Sequence, residues 1–484
     1  MSRMTEALAA YAAWLGPAQE GDAAAWVARL ALNQPEIDRL RDADLPADGI
    51  YQPQATRPAA PSGTLPPRPI AADAVATAMA RARASSELRI FNAIAEEAPR
   101  PEPADGFLAG LPIVVKDLMA VRGFPLTGGT QARPAVVAEA DAAAVALLRA
   151  QGACIVGTVN LHELAYGITS ANPHFGAVVN PKAPDRTPGG SSGGTAAAIA
   201  AGIVDAGLGT DTAGSIRIPA ACCGVVGFKP SYDAVPRQGA MDLAQSLDHI
   251  GPLGTRVADC AELFAALRGL PQVPDWQRRS LRGVRIARLG GYFEEPLDAA
   301  VADALEQAAT ALESAGASVA RQHLVRVEDA AAIQFATICA EASATHADIL
   351  DSRGLGDDVR ARLAIGRFLP GFWYVKAQHM RAAMVREMES VLQDTDFWIT
   401  PTLRTPAPPA GATEVTIGDA RYPLHTALTN LTMPFNLSGL PAICIPWGRN
   451  TEGVPLSVQL VGRRGSDWSL LALADALEQY APGR

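Results

Sequence analysis

Three side chains in this sequence have the type and the surroundings for acyl-transfer chemistry: Lys116, Ser191 and Ser215. Lys116 closes the apolar run of GLPIVVKDL (110–118), although only four of the chain's 41 basic residues are lysines. A lysine kept for solubility sits in polar company, and this one does not. Desolvation by Ile113, Val114 and Val115 disfavours the ammonium form and can lower a lysine pKa by several units, toward the range where it accepts protons. The competing explanation is a strand-end lysine paired with Asp117.

The serines lie in two Gly-rich loops. TPGGSSGGTAAAIAAG (187–202) places four glycines around Ser191 and Ser192 ahead of an Ala-rich helix, so main-chain N–H groups can approach a reacting atom. GTDTAGSIRIPAACCGVVGFKP (209–230) puts Ser215 after a strand, where neighbouring N–H groups can hold an oxyanion. A serine hydroxyl is a weak nucleophile at neutral pH and needs a base. None of the seven histidines lies in either loop, His162 and His174 being nearest in sequence, and this leaves Lys116 as the candidate.

Rival readings of the first loop are weaker. A nucleotide-binding P-loop needs Lys-Ser/Thr where this chain has Gly194-Thr195. A dinucleotide turn should follow a strand, and NPKAPDRTP precedes this one. Gly189, Ser191 and Gly193 match the G-x-S-x-G elbow of an esterase-like α/β-hydrolase, with Ser191 as nucleophile, but Pro181, Pro184 and Pro188 argue against the strand that elbow requires. A flexible Gly/Ser linker loses ground once a second Ser/Gly loop and an apolar-flanked lysine accompany it.

The elements that must position these residues follow from periodicity. Residues 140–151 read as a helix ended by Gly152, CIVGTVN as a strand, TAAAIAAGI as a helix and VDAGLGTD as a strand, with a further helix after Ser215. Such alternation predicts an α/β fold around a mixed, buried sheet. Residues 260–390 read as more helical, and AICIPWG and LSVQLVG as strands near the end. At the other end, Leu8, Tyr11 and Leu15, then Trp26, Val27, Leu30 and Leu32, mark a helical segment. The Pro-rich stretch 46–70 reads as an extended belt leading to a helix from about residue 72. This divides the chain into an N-terminal segment (1–70) and a catalytic domain (71–484).

With 484 residues, 49% apolar content and a net charge of −9, the chain is globular and offers no basic stripe for nucleic acid. No apolar run reaches membrane-spanning length, and six scattered cysteines fit neither a metal site nor a disulfide framework. A cytoplasmic location is the expectation.

GLPIVVKDL, PGGSSGGTAAAIAAG, GTDTAGSIRIPA, TPTLRTPAPPAG and PFNLSGLPAICIPWG…GVPLSVQLVG together resemble the amidase signature family, from about residue 72 to the C-terminus. The resemblance implies a large mixed, mostly parallel central sheet sandwiched by helices, here with an extra N-terminal helical segment. It implies Ser215 as the acylated nucleophile, Ser191 as a bridging serine after a cis Gly190-Ser191 bond, and Lys116 as base. The N–H groups of Thr212, Ala213, Gly214 and Ser215 would form the oxyanion hole. Tyr166, Ser192 and Gly190 are the substrate-binding candidates, with Asn172 and His174 as further candidate lining residues; no metal or cofactor is implied.

This chain reads DTAGS where many members read DTGGS, so Ala213 replaces a glycine. Alanine there, with LGGYFEEP and RFLPGFWYVKAQHMR, is similar to allophanate-hydrolase-like and biuret-hydrolase-like members. The expected substrate is a small amide, urea-type compound or carbamate, cleaved through an acyl-enzyme, and a homodimer is a possible assembly. The alternative within the resemblance is an amidase-type subunit of a larger amidotransferase complex. The first 60 or so residues resemble the helix-plus-belt companion subunit of some amidase complexes, fused here in one chain, or form a dimerising helical hairpin.

Overall fold

The computed structural model describes residues 22–47, 49–277 and 280–483, so the positions expected of Leu8, Tyr11 and Leu15 lie outside the described residues. Its frame is one eleven-stranded sheet. In chain order the strands are β1 (Phe91–Ile94), β2 (Pro112–Lys116), β3 (Cys154–Val159), β4 (Ala206–Asp211), β5 (Val226–Lys229) and β6 (His249–Gly254), then β7 (Arg285–Leu289), β8 (Ser318–Gln322), β9 (Phe397–Pro401), β10 (Ala442–Arg449) and β11 (Pro455–Gly462). Side by side they run β1-β3-β2-β4-β6-β5-β10-β11-β9-β7-β8.

The sheet is mixed, as expected, but the expectation that it is mostly parallel needs correction. Parallel pairing is confined to two blocks, β3-β2-β4 and β9-β7-β8. The other six neighbouring pairs are antiparallel. Parallel neighbours need long crossovers, whereas a return as short as residues 450–454, between β10 and β11, can only reverse the chain.

Helices cover both faces. Ile113 and Val115 of β2 enter one apolar cluster with the helices α4 (Ala143–Arg149), α7 (Val257–Leu267), α8 (Ala299–Ser314) and α12 (Asp467–Glu478). Val114 points the other way, into a cluster with α3 (Ala74–Ala84), α5 (Gly193–Ala200) and α6 (Arg217–Cys223). Burial on both sides explains why β2 reads as an unbroken apolar run. Strand alternation also gives Lys116 the face of Val114, toward α5. That helix lies close because its residues are small: a Cβ on Gly194 would fall 2.2 Å from the Asn160 carbonyl oxygen.

The longer remaining helices are α1 (Asp22–Leu32), α2 (Gln34–Asp42), α9 (Ala330–Thr345), α10 (Asp357–Ile365) and α11 (Gly371–Val391), and two short ones span Leu424–Thr429 and Pro434–Leu437. Trp26 is buried as its spacing predicts, but Leu32 is 48% exposed and lies off the packed face. After α2 the Pro-rich stretch runs extended, held by backbone bonds from Tyr51 to Gln378, Thr56 to Tyr232 and Leu65 to Val273. The strands β7 and β8 fall within the stretch that reads as helical. Their partly exposed sequences RIARL and SVARQ are too short and polar to stand out from amphipathic helix neighbours.

Phe264 of α7 is fully buried, edge-on to Phe228 at 5.3 Å and tilted against Trp468 at 5.0 Å. Phe264→Ala should lower unfolding free energy by about 3–5 kcal/mol in urea titrations; a loss below about 1 kcal/mol would show that this cluster does not hold the layers together.

Candidate active site

The parallel neighbours β2 and β4 deliver Lys116 and Asp211 at their carboxyl ends, the edge where open α/β sheets bind ligands. Lys116 is fully buried and donates from Nζ to Ser191 Oγ and to Thr210 Oγ1, each at 2.7 Å. Both partners are neutral hydroxyls. Burial, opposed by the charges of Asp211 and Asp248, brings the lysine pKa down to about 7. The pairing with Asp117 does not form. That carboxylate accepts instead from Asn92 Nδ2 at 2.8 Å, from the Thr127 N–H at 3.0 Å and from the Thr127 hydroxyl.

Ser191 precedes α5 and follows a cis Gly190-Ser191 peptide bond. Its side chain is buried on Lys116, unlike the exposed serine of a hydrolase elbow, and no strand leads into it. The next residue carries the link to the second loop: the Ser192 N–H donates to the Ser215 carbonyl at 3.2 Å. Ser192 Oγ donates to the Thr210 carbonyl at 3.1 Å and accepts from the Thr210 N–H at 3.2 Å. The serine loop is thus tied to β4 and to Ser215 at once.

A buried ion pair shapes the second loop. Arg217 donates from Nε and Nη2 to the two oxygens of Asp211 at 3.1 and 3.0 Å. Its other N–H groups reach the Thr432 carbonyl, Gln459 Oε1 and Asn436 Oδ1 at 2.6–2.9 Å, so all five guanidinium donors are used. Burial alone would raise the Asp211 carboxyl; the charge and hydrogen bonds of Arg217 override it and hold the group well below the usual carboxylate range. Asp211 in turn accepts from the N–H groups of Gly214 at 2.7 Å and Ile216 at 3.1 Å, curling the chain around Ser215.

This curl bears on the four expected oxyanion donors. The Gly214 N–H is already committed to Asp211. Among the described residues, the N–H groups of Thr212, Ala213 and Ser215 have no acceptor. Thr212 is steadied by its hydroxyl on Asp248 at 2.6 Å. The replacement of glycine by Ala213 carries no backbone strain, because the left-handed conformation falls on Gly214, at φ +131°. A Cβ on Gly214 would sit 2.2 Å from Thr432 Oγ1.

Ser215 opens onto a cleft with an interior volume of about 120 Å³. Tyr166 lines it, as expected of a substrate-contacting residue, and so do Thr212 and Ala213. Ser192 and Gly190 do not: Ser192 is used up in tying the loops, and Gly190 backs onto the main chain of Ile168–Ser170. Asn172 and His174 do not line it either, the first donating to the Gly129 and Leu161 carbonyls and the second pairing with Glu163 at 3.0 Å. The sequence reading missed Thr210, Asn436 and Gln459. Asn436 and Gln459 stand inside the quoted PFNLSG and LSVQLVG motifs, but nothing local in sequence says that they meet at Arg217. It also missed Arg29, Asn33 and Glu36, which reach the cleft from α1, the α1–α2 junction and α2.

A buried amine bonded to one serine, with a second serine lining a cleft, is an arrangement that can pass protons between hydroxyls. Known proteins define the class. The family model Amidase matches residues 68–471, and the chain belongs to the amidase signature family; it is an amidohydrolase acting on linear amide-type C–N bonds. It is 36% identical over 416 residues to the glutamyl-tRNA(Gln) amidotransferase A-type chain of Synechococcus sp., covering 78% of this chain and 84% of that protein. A crystal structure of an amidase superposes with a TM-score of 0.78 at 35% identity, covering 84% of this chain and 95% of that one. A structure of a vestigial protein complex, described as revealing the origins of an s-triazine catabolic enzyme, gives a TM-score of 0.77 at 31% identity, covering 84% and 94%.

With so few lysines, the charge state of Lys116 is directly observable. In NMR titrations of lysine-labelled protein, its side-chain signals should change near pH 7, and Lys116→Met should remove that transition. A lysine at position 116 titrating above pH 10, the value of a solvated amine, would contradict the desolvation described here.

Proposed function

We propose that the protein hydrolyses the C–N bond of a small-molecule amide, urea-type compound or carbamate through a Ser215–Ser191–Lys116 relay. The reading rests above all on the 2.7 Å contact between Lys116 Nζ and Ser191 Oγ, with Ser215 one backbone hydrogen bond away and open to the cleft. Neutral Lys116 takes the proton of Ser191 as Ser191 takes that of Ser215, and Ser215 Oγ attacks the carbonyl carbon. The oxyanion is held by the N–H groups of Thr212, Ala213 and Ser215. The relay then runs backward to protonate the departing nitrogen, leaving an acyl-Ser215 ester and an amine or ammonia. Water enters along the same path and releases the acid.

A second reading is favoured by the sequence relatives, which are chains of glutamyl-tRNA(Gln) amidotransferases. In it the chain supplies ammonia within a larger complex. Under that reading the purified chain is silent toward simple amides and gains glutaminase activity only with a partner.

Ser215→Ala separates these readings from the Ser191-nucleophile alternative. Purified wild-type protein should release amine or ammonia from at least one member of an amide, urea and carbamate panel, and Ser215→Ala should lose about 10⁴-fold or more in kcat. A fluorophosphonate should label Ser215 in the intact protein. Labelling of Ser191, or turnover surviving in Ser215→Ala, would reject the assignment. The pH dependence has a fixed sign: the ammonium form of Lys116 cannot accept a proton, so kcat/KM should fall as pH drops below about 7 and level off above it. A flat profile between pH 5 and 9 would remove Lys116 as the base.

A further inference from the structure

One wall of the cleft comes from outside the family match. That match begins at residue 68, yet Arg29, Asn33 and Glu36 line the same space as Ser215. The two helices that carry them are anchored on either side. Trp26 packs on Ala364, with its ring 5.3 Å from that of Phe368, and Leu40 is fully buried in the cluster shared with α9 and α11. Arg39 Nε adds an ion pair to Asp329 at 2.6 Å. The side of a helix that packs inward is ordinarily apolar. Here the inward side presents an arginine from α1, an asparagine from the α1–α2 junction and a glutamate from α2.

Two of the three keep a polar atom that the protein does not satisfy. Arg29 Nε and Glu36 Oε2 are hidden from solvent without a hydrogen-bond partner, as is Gln334 Oε1 across the cleft. A shielded donor left without an acceptor is costly and calls for one. The ion pair from Arg29 to Asp358 is long, at 3.7 Å, and Asp358 is shared with Arg362 at 2.9 Å and His162 at 3.4 Å. The charged groups lining the space are Arg29, Arg362 and Glu36, and Asp358 is the carboxylate that the two arginines share beyond it. His425 on the cleft wall is pushed down to about 4, first by burial and then by the charges of Arg29 and Arg362. Burial pushes the Glu36 carboxyl upward, which favours its neutral form and weakens the opposing charge.

We propose that Arg29 is a specificity-determining residue: the N-terminal helical pair closes the cleft and offers its guanidinium to a carboxylate carried by the substrate remote from the scissile bond. The preferred substrates are then monoamides of small dicarboxylic acids or amides of like charge. This rests on the amidohydrolase reading above and goes beyond it by assigning a charge to the substrate and a site to residues 22–42.

The test pairs succinamate, glutaramate and adipamate with butanamide, pentanamide and hexanamide, the uncharged amides closest in size. Wild-type protein should favour the charged member of at least one pair by tenfold or more in kcat/KM. Arg29→Met should erase that preference by raising KM at least tenfold for the charged amide, leaving kcat and the uncharged partner within about twofold; Arg29→Lys should restore part of it. Equal kcat/KM within every pair, or an equal loss for both members in Arg29→Met, overturns the proposal while leaving Ser215-dependent amide hydrolysis intact. If no amide is turned over, the function proposed above fails, and binding decides this point separately. Glutarate should then slow fluorophosphonate labelling of wild-type Ser215 and have no effect in Arg29→Met; no slowing in the wild type overturns the proposal. The same glutarate measurement on the wild type settles the matter if Arg29→Met does not fold.

Discussion

The structure depends on keeping one amine dry. Lys116 sits at the carboxyl end of a strand buried on both faces, and it meets two hydroxyls and no carboxylate. Bringing its pKa from 10.5 to about 7 corresponds to roughly 5 kcal/mol of preference for the neutral form. That preference would vanish if a carboxylate formed a contact ion pair with it. Two are close at hand, one adjacent in sequence and one at the end of the neighbouring strand. Asp117 is turned toward Asn92 and Thr127, and Asp211 is engaged by Arg217, Asn436 and two backbone amides. The surrounding network thus provides for both acids before either can reach the lysine.

The Asp211–Arg217 pair has a second consequence. A buried ion pair contributes little net stability, because desolvation offsets its attraction. Its value lies in geometry. By gathering Thr432, Asn436 and Gln459 onto one guanidinium, it joins the second serine loop to β11 and to the short helix Pro434–Leu437. The amides around Ser215 are thereby fixed by residues more than two hundred positions away. The curl around Ser215 is therefore a tertiary feature, although it is written as a local motif.

What could be read in advance follows from this distinction. Lys116 was legible because a charge in an apolar run is a local anomaly, and the helix before Cys154 and the strand before Ser215 because periodicity and a terminal glycine are local too. Strand direction is not encoded in periodicity, which is why the sheet came out less parallel than the resemblance implied. Ser192 and Gly190, candidates for the substrate on the resemblance, lie off the cleft, Ser192 through its hydroxyl's bonds to Thr210 and Gly190 through main-chain packing. Arg29 left no local trace at all. Its neighbours Trp26 and Leu30 announce a packed helix, and only the fold shows that the packed face borders the cleft more than 180 residues before Ser215.

The extended run between α2 and α3 gives that wall a particular property. Were the two helices a separate polypeptide, the cleft would stand open in every molecule whose companion had dissociated, and its fraction complete would fall with dilution. A covalent tether of some thirty residues replaces that equilibrium with an intramolecular one, whose effective concentration is set by chain length alone. Each molecule carries its own cleft wall at any dilution.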